Sequence, residues 1–383
     1  MTRLPVALSV LLFVLSLSGP LGSTAQPPPD STRLLPTDAR LVDPETKGVT
    51  AFLNLFSPED YIFELRSEQR SGHFLGADIY AAGPILTCPD GHGTEYGVPT
   101  RTVTSPGDAR QTIDSLAARD PDVVKLVYHP YRTDRYPSMN RATMTTIIDA
   151  AHRHNLKTVV HIETWSGAHE AIAAGVDAIT HTPPAPLPNT TLAAMQEQGT
   201  AWIPTLAVHT ELSHWIRHPD KLGNDLLRAV ADSALLAAYR DTSGLPRGVQ
   251  SRIDRQAEHR DIRLDAVQKG AEAGIALLAG TDAGNPGVFQ GYSLHRELVL
   301  FTQAGLSTWE ALAAATTAAG RFLDVPLGLQ PGDRANLLVL NASPLDDIRH
   351  TQSVQRVIRR GRVVDRPALL DDAESAIPSV PTR

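Results

Sequence analysis

Residues 158–181 read TVVHIETWSGAHEAIAAGVDAITH, and this stretch decides the architecture. Thr158–Glu163 is an apolar run of strand length, Gly167–Ala174 has a helical pattern, and Ala178–His181 is a second short apolar run. A strand, a helix and another strand in so short a span make a parallel pair with the helix packed outside it. Both strands end on an imidazole, His161 and His181. Side chains at the C-terminal ends of parallel strands converge on one face, so both imidazoles belong to the face that holds the active site of such a barrel.

The same alternation runs outward in both directions. Val49–Phe56, Gly76–Ile85 and Val123–His129 are strand candidates before the central unit, and Trp202–Val208 and Ile275–Asp282 follow it. Met139–His154 and Asn189–Gln198 are of helical length and pattern. The strands are nearly continuous apolar runs, as expected when a sheet is covered on both faces. An open doubly wound sheet normally carries a Gly-rich phosphate loop after its first strand, and none occurs here. The expected fold is therefore α/β, a (β/α)8-type TIM barrel. Seven strands are counted where eight are needed, so one strand is missing. After Phe322, Arg334–Asn341 and Val354–Asp365 read as strands, the latter broken by a turn at Arg360-Gly361. They predict a small antiparallel unit beside the barrel.

Bulk properties narrow the function. The chain has 383 residues, enough for one barrel with a small appendage. A net charge of −7 argues against nucleic acid or an anionic membrane as partner. Met1-Thr2-Arg3, the apolar run Val6–Leu17 and the small residues Ser23-Thr24-Ala25 have the pattern of an export signal cleaved before Gln26. The apolar run is short for a spanning helix, so a periplasmic or secreted location is expected rather than a retained anchor. Cys88 is the single cysteine, which excludes an intrachain disulfide. The expected boundaries are a signal over 1–25, a linker over 26–47, the barrel over 48–322, and C-terminal strands and tail over 323–383.

Chemistry gathers at strand ends. His161, His181 and Asp282 each close an apolar run, and imidazole with carboxylate is the donor set of zinc or a similar divalent ion. Any one of them alone is as well read as a hydrogen-bonded structural residue or a turn cap; their joint placement favours ligation. Lys125 lies inside Val123-Val124-Lys125-Leu126-Val127, where an ammonium is costly unless paired or chemically altered. Adding carbon dioxide to the amine would make it an anionic metal ligand; an ion-paired or snorkelling lysine is the alternative. His92, in Asp90-Gly91-His92-Gly93, and His209 and His295 are candidate substrate contacts, against plain turn or packing roles. Trp165, Trp202 and Trp215 read as core or rim residues.

At this point the motifs resemble a known family. Val160–Glu163 through Glu170–His181, Leu278-Ala279-Gly280-Thr281-Asp282-Ala283-Gly284, His295-Arg296-Glu297-Leu298, Glu310-Ala311-Leu312 and Pro331–Leu337 are similar to motifs of the amidohydrolase superfamily, in its imidazolonepropionase/prolidase-like branch. The resemblance implies a metal-dependent hydrolase of carbon–nitrogen bonds in amides that are cyclic, ureido or dipeptide-like. It implies a carboxylated Lys125, His161 and His181 on one metal, and Asp282 as both ligand and general base for water that the ion activates. Family members also carry a His-x-His pair at the end of the first strand. No such pair occurs before Gly48, and Ala151-His152-Arg153-His154 falls on a helix. One ion rather than two is therefore expected, zinc first. The second function consistent with the sequence is a degenerate, catalytically impaired binding protein; an internal deletion or truncated gene would also explain the missing strand. The expected partner is a small-molecule substrate, and unpaired barrel edges allow a homo-oligomer.

Overall fold

The computed structural model describes residues 10–12, 48–73, 76–131, 136–229, 231–242, 245, 247–325 and 335–365. Within them the apolar runs become strands: β1 (Val10–Leu12), β2 (Ala51–Asn54), β3 (Asp78–Ala81), β4 (Leu86–Thr87), β5 (Arg101–Thr102) and β6 (Val123–Val127). They continue as β7 (Lys157–His161), β8 (Ala178–Thr180), β9 (Ala201–Ile203), β10 (Leu337–Leu340), β11 (Val354–Arg359) and β12 (Arg362–Val363). The order β5-β4-β6-β7-β8-β9 is parallel throughout, and β2 pairs in parallel with β3. All five residues of β6 are buried, as a strand covered on both faces requires.

The array curves inward. Ala82, Val123, Val159, Ala178, Ala201, Ile203 and Leu278 form one apolar cluster, with Leu53, Leu55, Ala318 and Phe322 packed against it. Residues in or next to β2, β3, β6, β7, β8, β9 and the Ile275–Asp282 segment can share a cluster only if the sheet wraps around it, which is barrel curvature rather than an open sheet. Lys157 Nζ donates to Phe322 O at 2.7 Å, holding the helix Thr317–Phe322 on this apolar floor. A larger cluster joins the outer faces of the strands to the helices that surround them. Those helices start where side chains can cap them. Asn140 accepts from Thr143 N ahead of Arg141–Arg153, and Thr164 accepts from Gly167 N ahead of Trp165–Ala173.

Three expectations change. The run Trp202–Val208 divides: β9 ends at Ile203, and a helix, Leu206–Arg217, begins just past Thr205, whose φ of 49° turns the chain. Ile275–Asp282 takes the position after β9 but makes only one bridge, Leu277 to Trp202, backed by Trp202 N→Ala276 O (2.9 Å) and Leu278 N→Trp202 O (2.8 Å). Gly76–Ile85 yields β3, and beyond Gly83-Pro84 comes the short β4, which was not foreseen. Two-residue strands fall below any pattern that periodicity detects. Among the described residues neither β2 nor the Ile275–Asp282 segment has a second strand partner, which is where the eighth strand of a closed barrel would stand.

The C-terminal unit is antiparallel, in the order β1-β10-β11-β12. The turn at Arg360-Gly361 has φ of 49° and 77°, as a two-residue hairpin of this twist requires. Its β1 edge comes from the apolar run read as an export signal. The other residues of 1–47, the motif residues Pro331–Arg334 and the tail after Asp365 lie outside the described residues. Asp78, at the start of β3, ties this sheet to the barrel: its Oδ1 accepts from Arg359 (2.7 Å), Arg360 (2.8 Å) and Gln69 (3.0 Å). No described helix is long and apolar enough to cross a membrane.

Candidate active site

Register brings the candidate residues together. Val127 pairs with His161 and His161 with Thr180, so the C-terminal ends of β6, β7 and β8 lie level. Lys125, two residues inside β6, is 6% exposed and donates from Nζ to Thr180 Oγ1 at 2.6 Å. His161 is the last residue of β7 and His181 the first after β8; their ring centroids are 4.5 Å apart. His92 approaches from the loop after β4, 4.7 Å from His161, and His209 from the helix Leu206–Arg217, 5.8 Å from His181. The ring of His129, which follows β6, lies 6.1 Å from that of His92.

Hydrogen bonding divides the nitrogens of these rings. His181 Nδ1 lies 2.8 Å from Thr205 Oγ1, and His92 Nδ1 lies 2.6 Å from Glu95 Oε1. The Nε2 atoms of His161 and His209 are buried with no hydrogen-bond partner among the described residues. Glu163 Oε1 stands 3.9 Å from His161 Nε2, too far for a hydrogen bond. A buried nitrogen left without a partner is costly unless something supplies one.

The electrostatics keep the donors unprotonated. Burial lowers the His161 imidazole to about 3 and holds those of His181 and His209 well below the ordinary histidine value. Burial also lowers the Lys125 amine to about 7, with the Asp282 carboxylate opposing it. Asp282 follows the last parallel segment with φ 56°. Its surface is open at the mouth, yet it is packed round by enough protein for burial to raise its carboxyl, against Lys125, His92 and Arg252. A concave mouth removes most bulk water from a carboxylate whose surface it still leaves open. The charges of Lys125, Asp282 and His92 therefore act on one another across a single mouth.

His295 does not join this group. It is 4% exposed, its Nδ1 lies 3.0 Å from Thr351 Oγ1, and it packs edge-on to Tyr292, so it serves the contact with the C-terminal unit. The helical register of Tyr292–Gln303 turns it away from the mouth. Three residues around the site were not singled out from sequence. His129 had a usable signal, an imidazole ending an apolar strand as at His161. Glu297 stands in the motif His295-Arg296-Glu297-Leu298 with no role attached to it, and Thr205 had no signal, since a helix cap and a backbone conformation are set by tertiary contacts.

Among the described residues no three His, Cys, Asp or Glu side chains are already gathered tightly enough to hold an ion. The donors nonetheless fit one. His161 and His181 are neutral and adjacent, His161 Nε2 is unpartnered, and the amine of Lys125 shares their cavity.

A curved parallel array with histidine, lysine and aspartate gathered toward its C-terminal mouth defines a (β/α)-barrel protein with a candidate site at that mouth. The chain belongs to the amidohydrolase family, whose sequence model matches residues 46–364. It is 28% identical over 233 residues to an uncharacterised protein of Mycobacterium tuberculosis, covering 60% of this chain and 53% of that one. It thus spans about half the length of that relative. The ochratoxinase of Aspergillus niger is 22% identical over 356 residues, 84% of this chain and 66% of that one. Among solved structures, a provisionally assigned prolidase of Bifidobacterium longum superposes with a TM-score of 0.66 at 27% identity, over 87% of this chain and 79% of that one. A bottromycin amidohydrolase gives 0.66 at 23% identity, over 87% and 76%.

Proposed function

We propose that this protein hydrolyses carbon–nitrogen bonds of small amides, with dipeptide-like and cyclic amides as the first substrates to test. The observation that carries the reading is the pairing of His161 with His181 at 4.5 Å beside the buried amine of Lys125. These residues would hold a divalent cation, zinc first, with Lys125 as the position open to carboxylation. An ion there would supply Lewis acidity toward a carbonyl oxygen and would acidify water.

The chain's own groups do the rest. Asp282 has a carboxyl raised by burial, so it can take a proton from attacking water and return it to the departing nitrogen. His92 is oriented by Glu95 and faces the same space from the opposite rim, where it can meet the substrate carbonyl. His209, its Nε2 unpartnered, stands on the other side of His181 as a second substrate contact. An apolar cluster packs between the strands on the inside of the curved sheet. Likeness to a prolidase and to an ochratoxinase supports the amide class.

Purified full-length protein should bind close to one equivalent of zinc by elemental analysis, and His161→Ala with His181→Ala should abolish it. The same pair of substitutions should remove hydrolysis of Xaa-Pro dipeptides or cyclic amides. A wild-type chain that takes up no zinc, manganese or cobalt and hydrolyses none of these substrates contradicts the proposal. Uptake of zinc without turnover would identify a binding protein that has lost catalysis. Export, proposed from the N-terminal segment, is checked by locating the protein in cell fractions.

A further inference from the structure

Glu297 lies outside the mouth, on the helix Tyr292–Gln303, and is 0% exposed. Its two carboxyl oxygens accept from the backbone N–H groups of Leu206 (2.9 Å) and Ala207 (2.7 Å). These are the first two amides of the helix Leu206–Arg217, whose own cap residue, Thr205, provides no side-chain cap. A helix start presents unsatisfied donors and the positive end of the dipole, and a buried carboxylate answers both. Burial pushes this carboxyl up to about 8 while the two amides pull it down. The geometry serves the ionised form, since a protonated oxygen would turn its O–H toward an amide N–H. The adjacent Arg296 fixes the same helix a turn further on, through Glu211 at 2.9 and 3.2 Å.

What the cap holds in place is Thr205. This residue has φ 49°, a left-handed conformation that a β-branched side chain adopts only at a cost. In it, Oγ1 reaches His181 Nδ1 at 2.8 Å. Were Thr205 to relax to an extended conformation, its hydroxyl would swing off the ring. His181 has no other side-chain partner among its described hydrogen bonds, while its backbone is fixed by His181 N→Ile203 O and Trp202 Nε1→His181 O.

We propose that Glu297 is a positioning residue for His181. By capping the helix Leu206–Arg217 it keeps Thr205 left-handed, so that Thr205 Oγ1 accepts a hydrogen bond from His181 Nδ1–H and Nε2 is left with its lone pair free. The consequence for ion binding rests on the hydrolase reading above; the tautomer does not.

The experiment uses full-length protein, first metal-free and then titrated with zinc. Nitrogen-15 histidine spectra should show His181 as the Nδ1–H tautomer in the wild type. Glu297→Gln keeps the shape but sets an NH2 against an amide, and Thr205→Val removes the hydroxyl. Both should mix the tautomers and weaken zinc binding by about tenfold or more, the range for outer partners of a ligand. Thr205→Ser should restore both properties, and the double variant E297Q/T205V should be little worse than either single one. If Glu297→Gln fails to fold, the Thr205 pair carries the comparison. A Glu297→Gln protein that melts at lower temperature, yet keeps the wild-type tautomer and zinc affinity, overturns the positioning role. A wild-type chain that takes up no zinc but whose His181 tautomer responds to Glu297→Gln refutes the metal reading and supports the positioning role.

Discussion

Lys125→Met in the metal-free protein separates a functional lysine from a structural one. Lys125 is 6% exposed and, among the described residues, its Nζ has one hydrogen bond, to Thr180. Burial takes its amine from the ordinary value of 10.5 to about 7. At about 1.36 kcal/mol per pH unit, bringing the proton into the fold at neutral pH costs roughly 5 kcal/mol. This is an upper figure, because interiors respond with an effective dielectric well above that of dry protein. Methionine has nearly the same length and no charge, and Thr180 keeps its own bond to Val160 O. The expected outcome is a Lys125→Met protein about 2–5 kcal/mol more stable at pH 7, and inactive. The sign follows from the direction of the shift. Below its ordinary value the unfolded lysine holds a proton that the folded one resists, so wild-type stability falls from about pH 10 to about pH 7 and then levels. The methionine variant lacks that slope. Urea unfolding followed by circular dichroism, in carbonate-free buffer with chelator, measures the difference across this range. A variant no more stable at pH 7, or an advantage independent of pH, refutes the idea that the chain keeps this amine at a cost in stability.

Other outcomes follow from the contacts around the barrel. Asp78→Ala leaves the buried Arg359 without this partner and should cost about 3–5 kcal/mol, read by urea unfolding. Burial raises the Asp78 carboxyl, but Arg359 and Arg360 outweigh it and hold it below the ordinary range. The wild type should thus keep this contribution above about pH 4 and lose it as pH falls through the lowered value, where the variant's deficit narrows. A deficit that stays constant into acid would count against the ion pair. Gly287→Ala should destabilise by about 1–3 kcal/mol, since φ is 85° and the new Cβ would lie 2.7 Å from Leu212 Cα. It should also raise hydrogen exchange in the loop after Asp282; an unchanged melting temperature would mean that the Leu212 backbone yields freely.

Much of the barrel could be read from residue order because its strands are short, apolar and closed by imidazoles. Val123–Val127, Thr158–His161 and Ala178–Thr180 were legible for that reason, and the helix Asn189–Gln198 was bounded to the residue. The run Trp202–Val208 misled, since apolar content continues through Leu206-Ala207-Val208 while the backbone has already turned helical. No local pattern marks that turn: its cause is a carboxylate 90 residues further along the chain. Candidate ligands separated in the same way. His161 and His181 were marked by strand position, whereas His295 shared a family-like motif and proved to be oriented toward Thr351.

Residue order by itself determined the parallel β/α order and the antiparallel C-terminal unit, and it marked Lys125, His161, His181 and Asp282 as candidates whose roles the family resemblance implied, because burial and strand ends leave a local trace in residue type. Only the folded chain decided how the rings face one another, which nitrogens lack partners, and that Glu297 and Thr205 support His181. Those properties depend on pairs of residues brought together by closure of the sheet, and no single stretch of sequence encodes a distance between segments that meet only after folding.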